Sequence, residues 1–239
     1  MNVSLYIAKR YLRSKSSNNA INIISIIAVI GIVLGAASLF IVLSGFAGLK
    51  DFTLQFSSVV DPDIKAETAV GKSFFVTDED LSKLNNIEGV ALFSKIIEER
   101  VIITSNDKNY LATLKGVDGN FKNVVDADSI IYQGGWLEQK SNQIVVGFGV
   151  SNNLSFGVLD YAKTINLYVP KPGKGQISSV KNAFNSVNAI NVGVFDVNEN
   201  LNDTYVFASI DLAQRLLNYK PNQVSFLEFK LKNGADELI

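Results

Sequence analysis

One long apolar stretch and a series of short alternating ones divide the chain. Between Lys15 and Lys50 there is no charged residue, and Ala20–Phe46 within that gap is interrupted only by small or weakly polar residues such as Asn22, Ser25, Ser38 and Ser44. About 20 such residues cross roughly 30 Å of hydrocarbon. The run therefore predicts one membrane-spanning helix, with length to spare for tilt or for continuation beyond the bilayer. Ahead of it, Val3–Arg13 has helical periodicity, with Lys9, Arg10 and Arg13 on one side. Val3, Ile7 and Tyr11 lie beside Leu5, Ala8 and Leu12 on the rest. A helix of that kind can rest in the headgroup layer with its basic side towards anionic lipid. A plain basic flank accounts for the charges equally, but not for the ordered apolar side.

After the span the period shortens. Lys50–Val60 can prolong the helix until Asp61-Pro62-Asp63 stops it. Ile64–Glu67 reads as a strand, and Thr77-Asp78-Glu79-Asp80 opens a helix that buries Leu81, Leu84 and Ile87. Ile96–Thr104 and Tyr110–Val117 form a hairpin across the polar turn Ser105–Asn109. Further strands are expected at Ile144–Val146, Thr164–Val169, Asn191–Phe195 and Thr204–Ala208, with short helices near Val150–Leu154 and after Ser209. The last strand alternates Leu227, Phe229 and Leu231 with Glu228, Lys230 and Lys232, which predicts one buried and one wet side. Short mixed strands with a few helices make an α+β domain.

Between Val169 and Ile190 the pattern lapses. Pro170-Lys171-Pro172-Gly173-Lys174-Gly175-Gln176 is followed by Ile177–Ala189, a connection longer than compact domains usually carry. Two prolines and two glycines set a stiff, projecting start, with Lys171, Lys174 and Lys181 available for contact. A surface loop without a role remains the alternative.

Charge orients the span. Lys9, Arg10, Arg13 and Lys15 precede it with no acid, whereas Lys50 is followed by Asp51, Asp61 and Asp63. The positive-inside bias puts the N-terminus in the cytoplasm and everything after about Phe46 outside. A cleaved signal peptide could end at Gly35-Ala36-Ala37-Ser38. The apolar run continues through Leu39–Leu43, where a mature secreted chain would turn polar, so a retained anchor is expected. Gly31 and Gly35 stand one turn apart in the span and would let another helix approach closely; glycine is also simply common in such helices.

Composition removes most chemistry. The 239 residues include no Cys and no His, which excludes thiolate nucleophiles, His-based acid–base catalysis and the usual zinc sites. A net charge of −1 gives no reason to propose nucleic acid as a partner. Gly71-Lys72-Ser73 resembles the end of a phosphate-binding loop, but Ala66 stands where its first glycine belongs. Glu98 and Glu99 are adjacent on a strand, point to opposite faces and read as a solvated edge. Gly134-Gly135-Trp136 reads as a bend with a packed aromatic. No catalytic residue, metal site or cofactor is assigned; a carboxylate-only enzyme, without most of the usual equipment, is the alternative that composition leaves open.

Several blocks carry a family resemblance. Ile7-Ala8-Lys9-Arg10-Tyr11-Leu12-Arg13-Ser14-Lys15, Ile24–Ile27, Gly31–Gly35 and Val42–Phe46 resemble the start of lipoprotein-releasing ABC transporter permeases of the LolC/LolE type. These are related to MacB and FtsX permeases, which carry a large periplasmic domain. Ile144–Gly147, Leu154–Gly157, Gly193–Phe195, Tyr205–Phe207 and Ala213–Leu217 are similar, in the same order, to that family's MacB-like periplasmic core.

The resemblance implies a bacterial inner-membrane transport subunit without its own ATPase. Its partners would be a cytoplasmic ABC ATPase, a second permease subunit, lipoprotein cargo and a periplasmic lipoprotein carrier, besides membrane lipid. It also implies that the Pro170–Ala189 segment is a hook-like loop holding the carrier, with Pro170, Lys171, Pro172 and Lys174 as contact residues. The organisation expected is a cytoplasmic interfacial segment at 1–18, a transmembrane helix at 19–46, a membrane-proximal stretch at 47–120 and a β-rich distal stretch with the return strand at 121–239. The family has four spans and this sequence carries one, so it reads as truncated before the remaining spans. A related permease for efflux or for control of wall hydrolases is the alternative function, and a single-pass anchored sensor or binding protein the second.

Overall fold

The computed structural model describes residues 3–13, 19–160, 163–171 and 183–232. The chain divides into two compact units, Met1–Gln55 and Phe56–Ile239. The first holds helix α1 (Val3–Arg13) and most of α2 (Asn19–Val60). With 42 residues, α2 is about 60 Å long. Its stretch Ile23–Lys50 is long and apolar enough to cross a membrane. The helix ends at Val60, next to the Asp61-Pro62-Asp63 stop, as the sequence predicts.

The second unit is a mixed α/β domain. In chain order it contains β1 (Ile64–Glu67), β2 (Phe74–Phe75), α3 (Asp78–Asn85), β3 (Val90–Ser105), β4 (Lys108–Val117), α4 (Phe121–Val124), β5 (Ile131–Gly134), β6 (Gln143–Gly147) and α5 (Phe148–Leu154). Then follow β7 (Ile165–Pro170), β8 (Phe184–Phe195), α6 (Glu199–Thr204), β9 (Tyr205–Ser209), α7 (Ile210–Leu217), β10 (Gln223–Val224) and β11 (Phe226–Leu231). The main sheet runs β1-β11-β3-β4-β9-β6-β8-β5, and β7 pairs with both β3 and β8. Six strands, β3-β4-β9-β6-β8-β7, thus close on themselves. β2 and β10 form a separate antiparallel pair.

Alternation sorts the side chains. Ile97, Leu114, Ile144, Val146, Val206 and Leu167 turn to the inner face of the ring, where Leu154 of α5 and Leu212 and Leu216 of α7 join them. Ile96, Val117, Val145 and Phe207 turn to the outer face and pack with Phe121, Phe195 and Phe226. The apolar triplet Ile144–Val146 is unbroken because both its faces are covered. A third cluster, with Phe93, Val224, Leu227 and Phe229, lies under Leu81 and Leu84 of α3. Thr77 caps α3 and forms a reciprocal capping box with Asp80.

Ser209 ends β9 and starts α7. It is fully buried, its Oγ accepting from Leu212 N at 3.2 Å and donating to Ser141 O at 3.1 Å. Ser209→Ala is expected to cost about 1–2 kcal/mol by removing the cap and leaving buried groups unpaired. Urea denaturation followed through the single Trp136 measures it.

The structure corrects several expectations. Ile87 lies past the end of α3 and is exposed, so only Leu81 and Leu84 of its expected face are partly covered. β3 begins at Val90 rather than Ile96, because β11 pairs with its first half, and its hairpin to β4 turns on only Asn106 and Asp107. β8 begins at Phe184, pairing from Phe184↔Pro170 to Ala189↔Ile165, so the long connection contracts to the residues between Pro170 and Phe184. Glu228 is not on a wet side; it is buried.

Candidate functional site

The β7–β8 hairpin carries the expected partner-contact segment. At its base Pro170 is exposed and pairs with Phe184, and Lys171 is exposed, its N–H donating to Ala183 O at 2.8 Å. Tyr168 and Phe184 meet edge to face at 6.4 Å and stiffen this base from one side. Pro172 and Lys174 lie outside the described residues. The hairpin can project a loop, but nothing at its base resembles reacting groups held together.

The remaining expected positions separate. Lys9 and Arg10 are exposed on α1, Arg13 is its last residue, and Lys15 lies outside the described residues. Gly31 and Gly35 lie on α2 with no atom within 4 Å of where a Cβ would stand, so that helix face is open to a partner. Glu98 and Glu99 are half-buried and both border one cleft, and β3 is flanked by β11 and β4 rather than being a sheet edge, so the solvated-edge reading does not hold. Lys72 pairs with Glu99 at 2.8 Å, and the Ser73 hydroxyl accepts from Gln223, so Gly71-Lys72-Ser73 ties a loop to the sheet.

The domain's most unusual polar group went unread in the sequence. Lys115 of β4 reaches past β3 to Glu228 of β11, Nζ to Oε1 2.7 Å, with side chains only 9% and 3% exposed. The Lys115 ammonium also faces the rings of Phe121 at 5.1 Å and Phe226 at 6.0 Å. Glu228 Oε2 has no hydrogen-bond partner. Burial raises the Glu228 pKa above the ordinary range, against the opposing charge and hydrogen bond of Lys115; Glu98 pushes it further up and Lys65 down. Tyr205 of β9 is raised in the same way, first by burial and then by Glu98, Asp61 and Glu228.

Beside this pair β3 changes partner. β11 leaves it at Ile96 and β7 joins it at Ile102. Ser225 bridges the gap, its Oγ accepting from Glu98 N at 3.0 Å and donating to Glu98 O at 3.4 Å. An open cleft of about 310 Å³ lies here, lined by Lys65, Lys72, Glu98, Glu99, Ser225 and Phe226 among others. Its charges are largely matched to each other, as Lys72 to Glu99 and Lys65 to Glu67. Among the described residues no three His, Cys, Asp or Glu side chains stand together to hold a metal.

Comparison with known proteins agrees with this architecture. The sequence model of the MacB-like periplasmic core domain matches residues 25–237. Over 240 residues the chain is 24% identical to the lipoprotein-releasing system transmembrane protein LolE of Haemophilus influenzae, an alignment that takes in 97% of this chain and 55% of that protein. The chain therefore spans about half the length of that curated relative. Among solved structures, the extracellular domain of the noncanonic ABC-type transporter YknZ from Gram-positive bacteria is similar over 72% of this chain and 85% of its own, at 13% identity and a TM-score of 0.48. The periplasmic region of MacB from Actinobacillus actinomycetemcomitans is similar over 66% of this chain and 65% of its own, at 12% identity and a TM-score of 0.44.

Proposed function

The chain belongs to the family of MacB-like periplasmic core domains, and from that premise we propose that it is a permease subunit of an ABC transporter that releases lipoproteins from the inner membrane. An apolar helix followed by a periplasmic-type domain fits an inner-membrane protein. The observation that carries the transport reading is the alignment to LolE along 97% of the chain, apolar helix and domain together. ATP hydrolysis belongs, in this proposal, to a cytoplasmic partner ATPase, and a second permease subunit packs on the open face of α2 at Gly31 and Gly35. The four basic residues before the span hold the N-terminus in the cytoplasm, and residues after about 46 are periplasmic.

The β7–β8 projection is proposed as the contact for a periplasmic lipoprotein carrier, through Pro170, Lys171, Pro172 and Lys174. Photo-crosslinking from positions 171 and 174 of the full-length gene product in its native membrane tests this. The expected product is a covalent adduct with a periplasmic lipoprotein carrier. No adduct in an otherwise assembled transporter would remove the carrier contact and shift the reading to efflux or to regulation of wall hydrolases.

A further inference from the structure

α1 exposes apolar side chains on a short helix: Val3 is 65% exposed, Leu5 71% and Ile7 50%. A helix of 11 residues is marginal in water without a surface to cover such a face. Only residues 14–18 separate Arg13 from Asn19, where α2 begins. Five residues reach at most about 18 Å. Because α2 contains the apolar stretch Ile23–Lys50, α1 is tied close to the membrane boundary on that side, and the bilayer surface is the cover within its reach.

One place on this helix is shaped for more than general attraction. Tyr6, Ile7, Arg10 and Tyr11 line a hollow of about 440 Å³. Arg10 stands four residues after Tyr6, and Tyr11 four after Ile7, so the four side chains form a square on one side of the helix. A guanidinium offers a planar fork of donors matched to two phosphate oxygens. The Tyr6 phenol can donate a further bond, the Tyr11 ring walls the other side, and Ile7 supplies an apolar floor. Lys9 adds charge alongside, and the sequence has no acidic residue before Asp51, so this segment has no carboxylate to answer Arg10.

We propose that the Tyr6–Arg10–Tyr11 notch is a binding site for the phosphate of an anionic phospholipid headgroup. Arg10 takes the phosphate, the two tyrosines flank it, and Lys9 draws the helix to the charged leaflet. The site rests on the membrane-anchored reading of α2 but not on any cargo, so its failure would leave the lipoprotein-release proposal standing.

Hydrogen–deuterium exchange of residues 3–13 tests it in the full chain, reconstituted in nanodiscs of phosphatidylcholine alone or mixed with phosphatidylglycerol. Co-elution with the disc reports the anchor separately. Phosphatidylglycerol is expected to slow exchange in α1 by about fivefold, the worth of one basic side chain at an anionic surface. Arg10→Gln is expected to remove most of that difference, the remainder being the pull of Lys9, and Arg10→Lys, which keeps the charge without the fork, to restore only part of what is lost. Inorganic phosphate added to phosphatidylcholine discs is expected to do nothing. Equal exchange in both discs, a full effect in Arg10→Gln, or an equal effect in Arg10→Lys would overturn the site. Slowing by free phosphate alone would overturn its assignment to lipid.

Discussion

Lys115→Met is expected to destabilise the domain by about 3–5 kcal/mol, because it leaves the buried Glu228 carboxyl with only the weaker pull of Lys65 across β1. Glu228 is buried and one of its oxygens is already unpartnered, so Lys115 supplies the hydrogen bond its side chain makes to the other. The double variant Lys115→Met/Glu228→Leu is expected to be about as stable as the parent, or up to about 4 kcal/mol more stable, since it removes two desolvated charges together. Urea denaturation of the full chain in detergent, followed through Trp136, measures both. That ring stacks on Phe121 at 5.9 Å, and Phe121 in turn faces the Lys115 ammonium, so the probe sits beside the pair. Equal losses in the single and double variants would show that Lys115 matters for packing and not for pairing.

The sign of the pH dependence follows from the raised Glu228 pKa. A carboxyl whose pKa is higher in the folded state than in the unfolded chain is bound to its proton more tightly by the fold. Its contribution is fully present below the unfolded value and is lost as pH rises through the folded one. Acidification through that window therefore favours the seated β11, the opposite of an ordinary exposed salt bridge. Asp80 runs the other way. Its hydrogen bonds with Thr77 hold its pKa down, so the α3 capping box contributes above the unfolded carboxylate range and fades as pH falls through the folded value. In Lys115→Met the Glu228 carboxyl loses the charge that lowers its pKa, so part of the lost stability returns at low pH. The double variant lacks this recovery.

Much of the fold was legible because local signals agreed with their surroundings. Thr77 and Ser209 mark helix starts, and in both cases the hydroxyl accepts the backbone N–H three residues on. Ile144–Val146 reads as a strand, and it is one, buried on both faces. The first half of β8 does not read this way. Asn185, Ser186 and Asn188 dilute the apolar signal, and these residues are a strand because β7 pairs with them. Propensity yields there to a tertiary partner. β3 starts early for the same reason, since β11 lies more than 120 residues away in sequence.

The Lys115–Glu228 pair shows what a strand pattern hides. Alternation places Glu228 with Lys230 and Lys232 on a polar side, and Lys230 is indeed exposed. Yet Phe226 and Glu228 share one face of β11, as Val117 and Lys115 share one face of β4, and both faces meet the aromatic cluster around Phe121. A large apolar residue two positions from a charge was the available cue. The partner 113 residues away was not. By contrast the helix α1 was legible because its periodicity is local to Val3–Arg13, and Lys9 and Arg10 are exposed on it.

Gly147→Ala is expected to destabilise the domain by about 3 kcal/mol or more, at the upper end of what overpacking usually costs. The reason is not backbone conformation, since Gly147 has φ −66 and ψ 150, which any residue adopts. It is proximity: a Cβ there would stand 2.1 Å from the carbonyl oxygen of Asn202 and 2.6 Å from its carbon. Those are main-chain atoms of α6, so no rotamer change relieves the clash. Nor can α6 withdraw freely. Asn202 is buried, accepting from Val197 N at 2.9 Å and donating to Asp196 at 2.6 Å, which fixes the turn between β8 and α6. Moving Asn202 would break both bonds and pull on β9, whose Val206 and Ala208 line the inner core. Gly157→Ala is the matched comparison, because nothing lies within 4 Å of its Cβ position. That variant is expected to be neutral or slightly stabilising, by up to about 1 kcal/mol, through a less flexible unfolded chain. Thermal unfolding of the two variants under one condition decides the matter. Equal melting temperatures would mean that α6 is free to yield, and that the junction of β6 and α5 is not the rigid point the geometry makes it.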